Sequence, residues 1–97
     1  MKISELLSRP QFNSVLQSLT KYPKIAWDVD ATLVDSPASE KLHEFILAHP
    51  EIKHYIITAR SDDYLVKSIF WELAAYPAKL SKLNFTKVIT ANHKLHQ

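Results

Sequence analysis

Lys24-Ile25-Ala26-Trp27-Asp28-Val29-Asp30-Ala31-Thr32-Leu33 is the stretch on which the fold turns. After Pro23 it opens with an apolar run of strand length that ends in an acid, as a buried strand of a parallel sheet does. Two carboxylates, Asp28 and Asp30, leave that strand together. So much negative charge beside an apolar strand is unfavourable unless a cation compensates it. Hard oxygen donors suit Mg²⁺, which keeps several waters and takes a substrate phosphate into its shell. A carboxylate beside such an ion can attack a phosphoryl group. A second one can protonate the leaving oxygen and later activate water. Asp is also common in turns, so the pair reads equally well as a strand end followed by a turn.

Downstream, Ser36-Pro37 reads as a helix N-cap followed by Pro at the first helical position. Leu42, Phe45 and Ile46 recur at helical spacing, and the helix ends near His49-Pro50. A second apolar run over 54–58 has strand length and ends in Thr58. Ser61 is placed to cap a second helix, with Asp62 and Asp63 in its first turn. Leu65, Ile69 and Leu73, with Val66, Phe70 and Ala74, give that helix a broad apolar face, and Pro77 stops it. A weaker third strand is expected over 85–90, centred on Val88 and Ile89. Upstream, Leu6, Leu7, Phe12, Val15, Leu16 and Leu19 predict a helical preface over 1–20, interrupted at Pro10 and packed as a lid on the core. Strands alternating with helices imply βαβ crossovers and a parallel sheet, with the site at the carboxyl ends of the strands. That rule selects Asp28 with Asp30, Thr58 with Arg60, and the segment after Ile89.

Composition narrows the classes. With 97 residues, 46% hydrophobic and 23% charged, the chain reads as one soluble globular domain, its α/β core over 24–97. A net charge of +2 is too weak a bias to imply nucleic acid. The absence of cysteine excludes a disulfide framework, a Cys-based zinc site and thiol catalysis, and fits a reducing cytoplasm. The absence of glycine excludes the Gly-rich phosphate loops of the P-loop and dinucleotide types. Neither a signal peptide nor a membrane span is expected, because no apolar run is long enough.

An apolar strand, then D-V-D-A-T-L-V, then a second apolar strand ending in Thr58 resembles the haloacid dehalogenase-like (HAD) phosphohydrolase superfamily. The first motif is matched over 28–33 and the second at Thr58. The resemblance implies a three-layer Rossmann-like α/β fold with a short parallel sheet. It implies that Asp28 is the nucleophile and a Mg²⁺ ligand. Asp30 would be the general acid/base and would also give Mg²⁺ a backbone carbonyl. Thr58 would hydrogen-bond a phosphoryl oxygen, and Lys94, or alternatively Lys87, would offset charge on nucleophile and phosphate. Ala31 stands where glycine is frequent in the family. Thr32 and Arg60 are the substrate-binding candidates, Arg60 because a guanidinium binds phosphate or carboxylate bidentately. The family's further acids come after a fourth strand, for which this sequence has no counterpart before Gln97. Asp62 and Asp63 are the nearest acids, and capping suits them better. The intervals between motifs leave no room for a cap domain, and capless members often act on large substrates such as phosphoproteins or nucleic-acid ends. The expected function is a Mg²⁺-dependent phosphatase with an open site, working through an aspartyl-phosphate at Asp28 on a phosphorylated substrate, macromolecular ones included.

Two other readings use the same residues. One is a non-catalytic interaction module on this fold, in which a homodimer covers the edge left by the third strand. The other is a receiver-like phospho-acceptor domain, but no acid ends the strand near Ile89. His93 and His96 stand at i, i+3 without a third ligand nearby. His43, His49 and His54 read as surface or helix-end residues, and Trp27 and Trp71 as core or groove-filling aromatics.

Overall fold

The structure is a computed structural model that describes residues 12–90. Lys94, His93, His96 and the first part of the helical preface therefore lie outside the described residues. The elements run α1 (Phe12–Leu19), β1 (Lys24–Asp28), α2 (Ser39–Ala48), β2 (Lys53–Thr58), α3 (Asp63–Ala74), a short 3₁₀ turn (Lys82–Asn84) and β3 (Lys87–Thr90). The three strands form one parallel sheet in the order β1-β2-β3. This is a small α/β arrangement compatible with a Rossmann-like layout. No helix among the described residues is long and apolar enough to cross a membrane.

The strands bury one face. Cross-strand register aligns Ile25 with His54, Trp27 with Ile56, and Ile56 with Val88, and these residues join the core or pack against it. Leu42, Phe45 and Ile46 of α2 and Ile69 and Leu73 of α3 close over the same face. The other face presents Lys24, Ala26, Asp28, Lys53, Ile57 and Lys87, all exposed. Two crossovers of one hand, taken in one direction across a sheet, put both helices on one side. The described residues thus make two layers; the third layer implied by the resemblance has no counterpart among them.

Two helix starts differ from expectation. α2 begins at Ser39 with Ala38 as its N-cap, which makes no side-chain cap bond, instead of being capped by Ser36 with Pro37 as its first residue. Ser36 Oγ accepts from Ala38 N–H, and Ser39 Oγ accepts from Ser36 N–H and donates to Thr32 O, so both hydroxyls shape the entry turn. α3 is capped by Asp62, not Ser61, with its carboxylate accepting from Tyr64 and Leu65 N–H. A carboxylate both bonds the free N–H groups and complements the helix dipole. The apolar face of α3 is also narrower than expected. Leu65 and Ala74 are exposed, and Trp71 is 73% exposed instead of filling the core or a groove.

Two histidines expected at the surface are core residues. His54 Nδ1 accepts from Trp27 Nε1–H at 2.9 Å, and its Nε2–H donates to His49 O at 2.9 Å. The bond from Trp27 pins β1 to β2 through side chains as well as backbone. His43 is fully buried on α2, with Nε2–H donating to Leu33 O at 2.8 Å. Burial holds both rings below the ordinary histidine range, so both are neutral in the fold.

The linkage has a definite sign. Both groups bind protons more readily when unfolded. Their contribution is therefore complete above the ordinary value of 6.5 and is lost as pH falls from there through the lowered folded values. Each adds at most about 1.4 kcal/mol per pH unit to the slope. Urea unfolding between about pH 7 and 5 is expected to show a falling midpoint. In His54→Gln the slope, rather than the midpoint, should be visibly shallower; an unchanged slope would show that His54 titrates normally in the fold.

Candidate functional site

The carboxyl ends of β1 and β2 are shaped by the loops that leave them. After Asp28 the chain makes one wide turn, with Thr32 N–H bonded to Val29 O, Leu33 N–H to Asp28 O and Val34 N–H to Val29 O. Val29, Leu33 and Val34 anchor that turn in the core. Ala31 sits within it at φ 60°, in the left-handed region. A Cβ there costs about 1–2 kcal/mol, which is the physical content of finding alanine where the resembling family often has glycine.

Asp28 is exposed, and its Oδ1 accepts from Val29 N–H at 2.9 Å. By register it shares a sheet face with Ile57. Thr58 lies on the opposite face, is 3% exposed, and its Oγ1 accepts from Arg60 N–H at 3.1 Å. The structure therefore sets Asp28 and Thr58 at neighbouring strand ends but on opposite faces. Thr32, expected against substrate, is buried in the turn. Lys87 enters at the amino end of β3, level with Tyr55, so it stands away from the carboxyl edge where the third-motif lysine belongs.

What the edge does bring together is Arg60 with two acids. Its guanidinium grips Asp30 through Nη2 to Oδ1 at 2.8 Å and Nε to Oδ2 at 3.3 Å. It grips Glu72 of α3 through Nη1 to Oε2 at 2.6 Å and Nη2 to Oε1 at 3.1 Å. Nη1 also donates to Leu65 O and Ser68 Oγ. Two forked pairs and these extra acceptors use every N–H of the group. Arg60 was expected to meet substrate; instead it ties the β1 turn, the β2 end and α3 to one another. Glu72 had no place in the sequence reading. The available signal was an acid between the buried Ile69 and Leu73, four residues after Ser68, on a face that should otherwise be apolar.

The electrostatics stem from the same clamp. Arg60 holds Asp30 and Glu72 below their ordinary values, and the two acids in turn raise Arg60. Both acids would be ionised at neutral pH without the clamp, which extends their ionised range toward lower pH. As for a metal, no three acidic or histidine side chains among the described residues cluster to hold an ion. The donor set still has the right chemistry for Mg²⁺ in one respect: Asp28 offers an exposed hard carboxylate with one oxygen outside its backbone bond.

Two substitutions probe this edge. Ala31→Gly relieves the left-handed Cβ clash at the expense of unfolded-state entropy, and is expected to raise stability by up to about 1 kcal/mol, read as a thermal midpoint several degrees higher. Glu72→Gln is expected to lower stability by roughly 1 kcal/mol at neutral pH, the modest size reflecting a side chain that is 37% exposed. Because the fold lowers Glu72 below 4.5, that loss should be full above 4.5 and should vanish on further acidification as the native carboxylate protonates. A difference independent of pH would mean that the ion pair is not its source. No family model matches the chain, and no curated protein or solved structure matches it either.

Proposed function

We propose that this is a HAD-like domain with a Mg²⁺-dependent phosphoryl-transfer site at Asp28, acting as a phosphohydrolase on a phosphorylated substrate. The observation that carries the reading is an exposed carboxylate at the carboxyl end of a parallel strand, directly ahead of a wide turn that holds Ala31 in the left-handed region. In such sheets the carboxyl edge is where ligands bind. The face around Asp28 is open, which suits a large substrate.

Asp28 and the backbone carbonyl of Asp30 would hold Mg²⁺, whose charge would offset that of the phosphoryl oxygens. Asp28 attacks phosphorus through the carboxylate oxygen that Val29 N–H leaves unbonded, and the P–O bond to the leaving group breaks. Asp30 then takes a proton from the water that hydrolyses the aspartyl-phosphate. Arg60 lowers its proton affinity, so Asp30 acts as the stronger base once that pair loosens. Protonation of the leaving oxygen by Asp30 requires Arg60 to release it first. Lys94, outside the described residues, remains the candidate for neutralising the phosphate.

A second reading is favoured by the clamp itself. A guanidinium saturated by Asp30 and Glu72, with Thr58 turned inward, suits a non-catalytic module that keeps the fold and uses the former edge as a brace. Both readings predict a small α/β domain; they differ at Asp28.

The test is thermal unfolding with Mg²⁺ and beryllofluoride on the native chain and on Asp28→Asn. The adduct mimics an aspartyl-phosphate, so no substrate has to be guessed. At about 100 times its dissociation constant it should add roughly 2.7 kcal/mol. In a domain this small each kcal/mol moves the midpoint by about 4–8 °C. A shift of that size that disappears in Asp28→Asn supports the phosphohydrolase. No shift in either protein leaves the non-catalytic module as the reading.

A further inference from the structure

The register of the sheet collects charge that the sequence scatters. On the open face the strand residues fall into three rows across the sheet. Lys24 and Lys53 are partners in the row at the amino end. Ala26, Tyr55 and Lys87 make the middle row, and Asp28, Ile57 and Ile89 the row at the carboxyl end. Three lysines thus share this face with one acid, which lies in the row farthest from Lys24 and Lys53. The lysines are exposed, and none of them enters an ion pair among the described residues. Just ahead of β1, Lys21 Nζ stands 5.4 Å from the ring centroid of the exposed Tyr22, which brings a further cation and ring to the amino end. Glu51, two residues before Lys53, is already engaged by His49 at 2.9 Å.

Charge and shape together say what covers such a face. A surplus of cations attracts a polyanion, which gives up its condensed counterions when lysines replace them. A three-stranded sheet face does not enter the grooves of a duplex, which admit a helix or a two-stranded ribbon. A single strand suits it better: its bases lie against rings and apolar side chains while its phosphates run over cations. Tyr55, half-buried, and Ile57, exposed, follow one another along the central strand of this face. An acidic protein segment would use the lysines but would bring no flat group to match that pair. The face extends about 13 Å along β1 and about 10 Å across the three strands, a footprint for a short stretch of strand. We propose that the open face of the sheet binds single-stranded nucleic acid, with Lys24, Lys53 and Lys87 on the phosphates and Tyr55 against a base. The inference is independent of the chemistry proposed at Asp28.

The test is fluorescence anisotropy of a labelled oligothymidylate of about ten nucleotides, within the usual range of single-strand site sizes. The full chain is titrated in at several salt concentrations with EDTA present, so that no Mg²⁺ chemistry bears on the result. Saturable binding is expected, with log affinity falling against log salt at a slope near about −2, the value for three phosphate contacts. In Lys24→Gln/Lys53→Gln/Lys87→Gln the slope should flatten toward zero, with affinity at low salt at least about tenfold weaker. The single Lys87→Gln, which disturbs the fold least, should reduce the slope by about 0.7. Tyr55→Leu should keep the slope and weaken binding by about fivefold or more. A poly-glutamate peptide of matched charge serves as the second probe, and it should bind far more weakly than the oligonucleotide. Absence of saturable binding, an unchanged slope in both lysine variants, undiminished binding by Tyr55→Leu, or poly-glutamate binding as tight as the oligonucleotide's would each overturn the inference.

Discussion

One guanidinium organises the carboxyl edge of this sheet. Arg60 leaves β2, reaches back to Asp30 in the turn after β1, and forward to Glu72, Ser68 and the Leu65 carbonyl on α3. The edge of a parallel sheet is otherwise a set of loops connected only through the strands beneath them. Here three of its segments are cross-linked by a planar group with a fixed hydrogen-bonding geometry. The side chain is 14% exposed, while Asp30 is 61% and Glu72 37% exposed. Solvent screens the acids, so the pairs add less to stability than their distances suggest. Their larger effect is on position: the turn that carries Asp28 and Asp30 cannot shift without breaking a forked pair.

That clamp shows where sequence reading stops. The strands over 24–28 and 54–58 were legible because each apolar run is bounded by polar residues or proline, and β1 was found as expected. The start of the third strand was not, because Phe85 packs as a core-edge residue in an extended link while pairing begins only at Lys87. The caps were misplaced by one or two residues because serine, aspartate and proline all signal a helix start, and only geometry decides which side chain meets the free N–H groups. The face of the sheet was hidden for a related reason. Ala26, Tyr55 and Ile57 are apolar, so the runs look continuous, yet the structure buries only the alternate set with Trp27 and Ile56.

Residues governed by long-range contact were the least legible. His54 reads as a strand-end polar residue until Trp27, a cross-strand diagonal neighbour, donates to it. His43 reads as a surface position on α2, but the helix turns it onto Leu33 and Tyr76. Glu72 and Arg60 are twelve residues apart, a separation that carries no local signal. In each case the polar side chain is held by a partner that periodicity cannot identify. By contrast Trp71 is large and apolar yet follows Lys67 and Ser68 on the face of α3 opposite Ile69 and Leu73, so spacing alone already put it outside.

The strained turn and the clamp act on the same carboxylates in opposite senses. Ala31 in the left-handed region raises the energy of the turn, and the Arg60–Asp30 pair holds that turn in place. Asp35 and Lys79 take the same left-handed backbone, so the conformation itself is not particular to this turn. What sets Ala31 apart is its place, next to Asp30 and three positions after Asp28. The same pair lowers the proton affinity of Asp30, so a step that protonates Asp30 works against Arg60. The position of Asp30 and the rigidity of the edge are thus coupled through one side chain. An active phosphohydrolase would have to open this brace in each turnover, whereas a binding module would keep it closed.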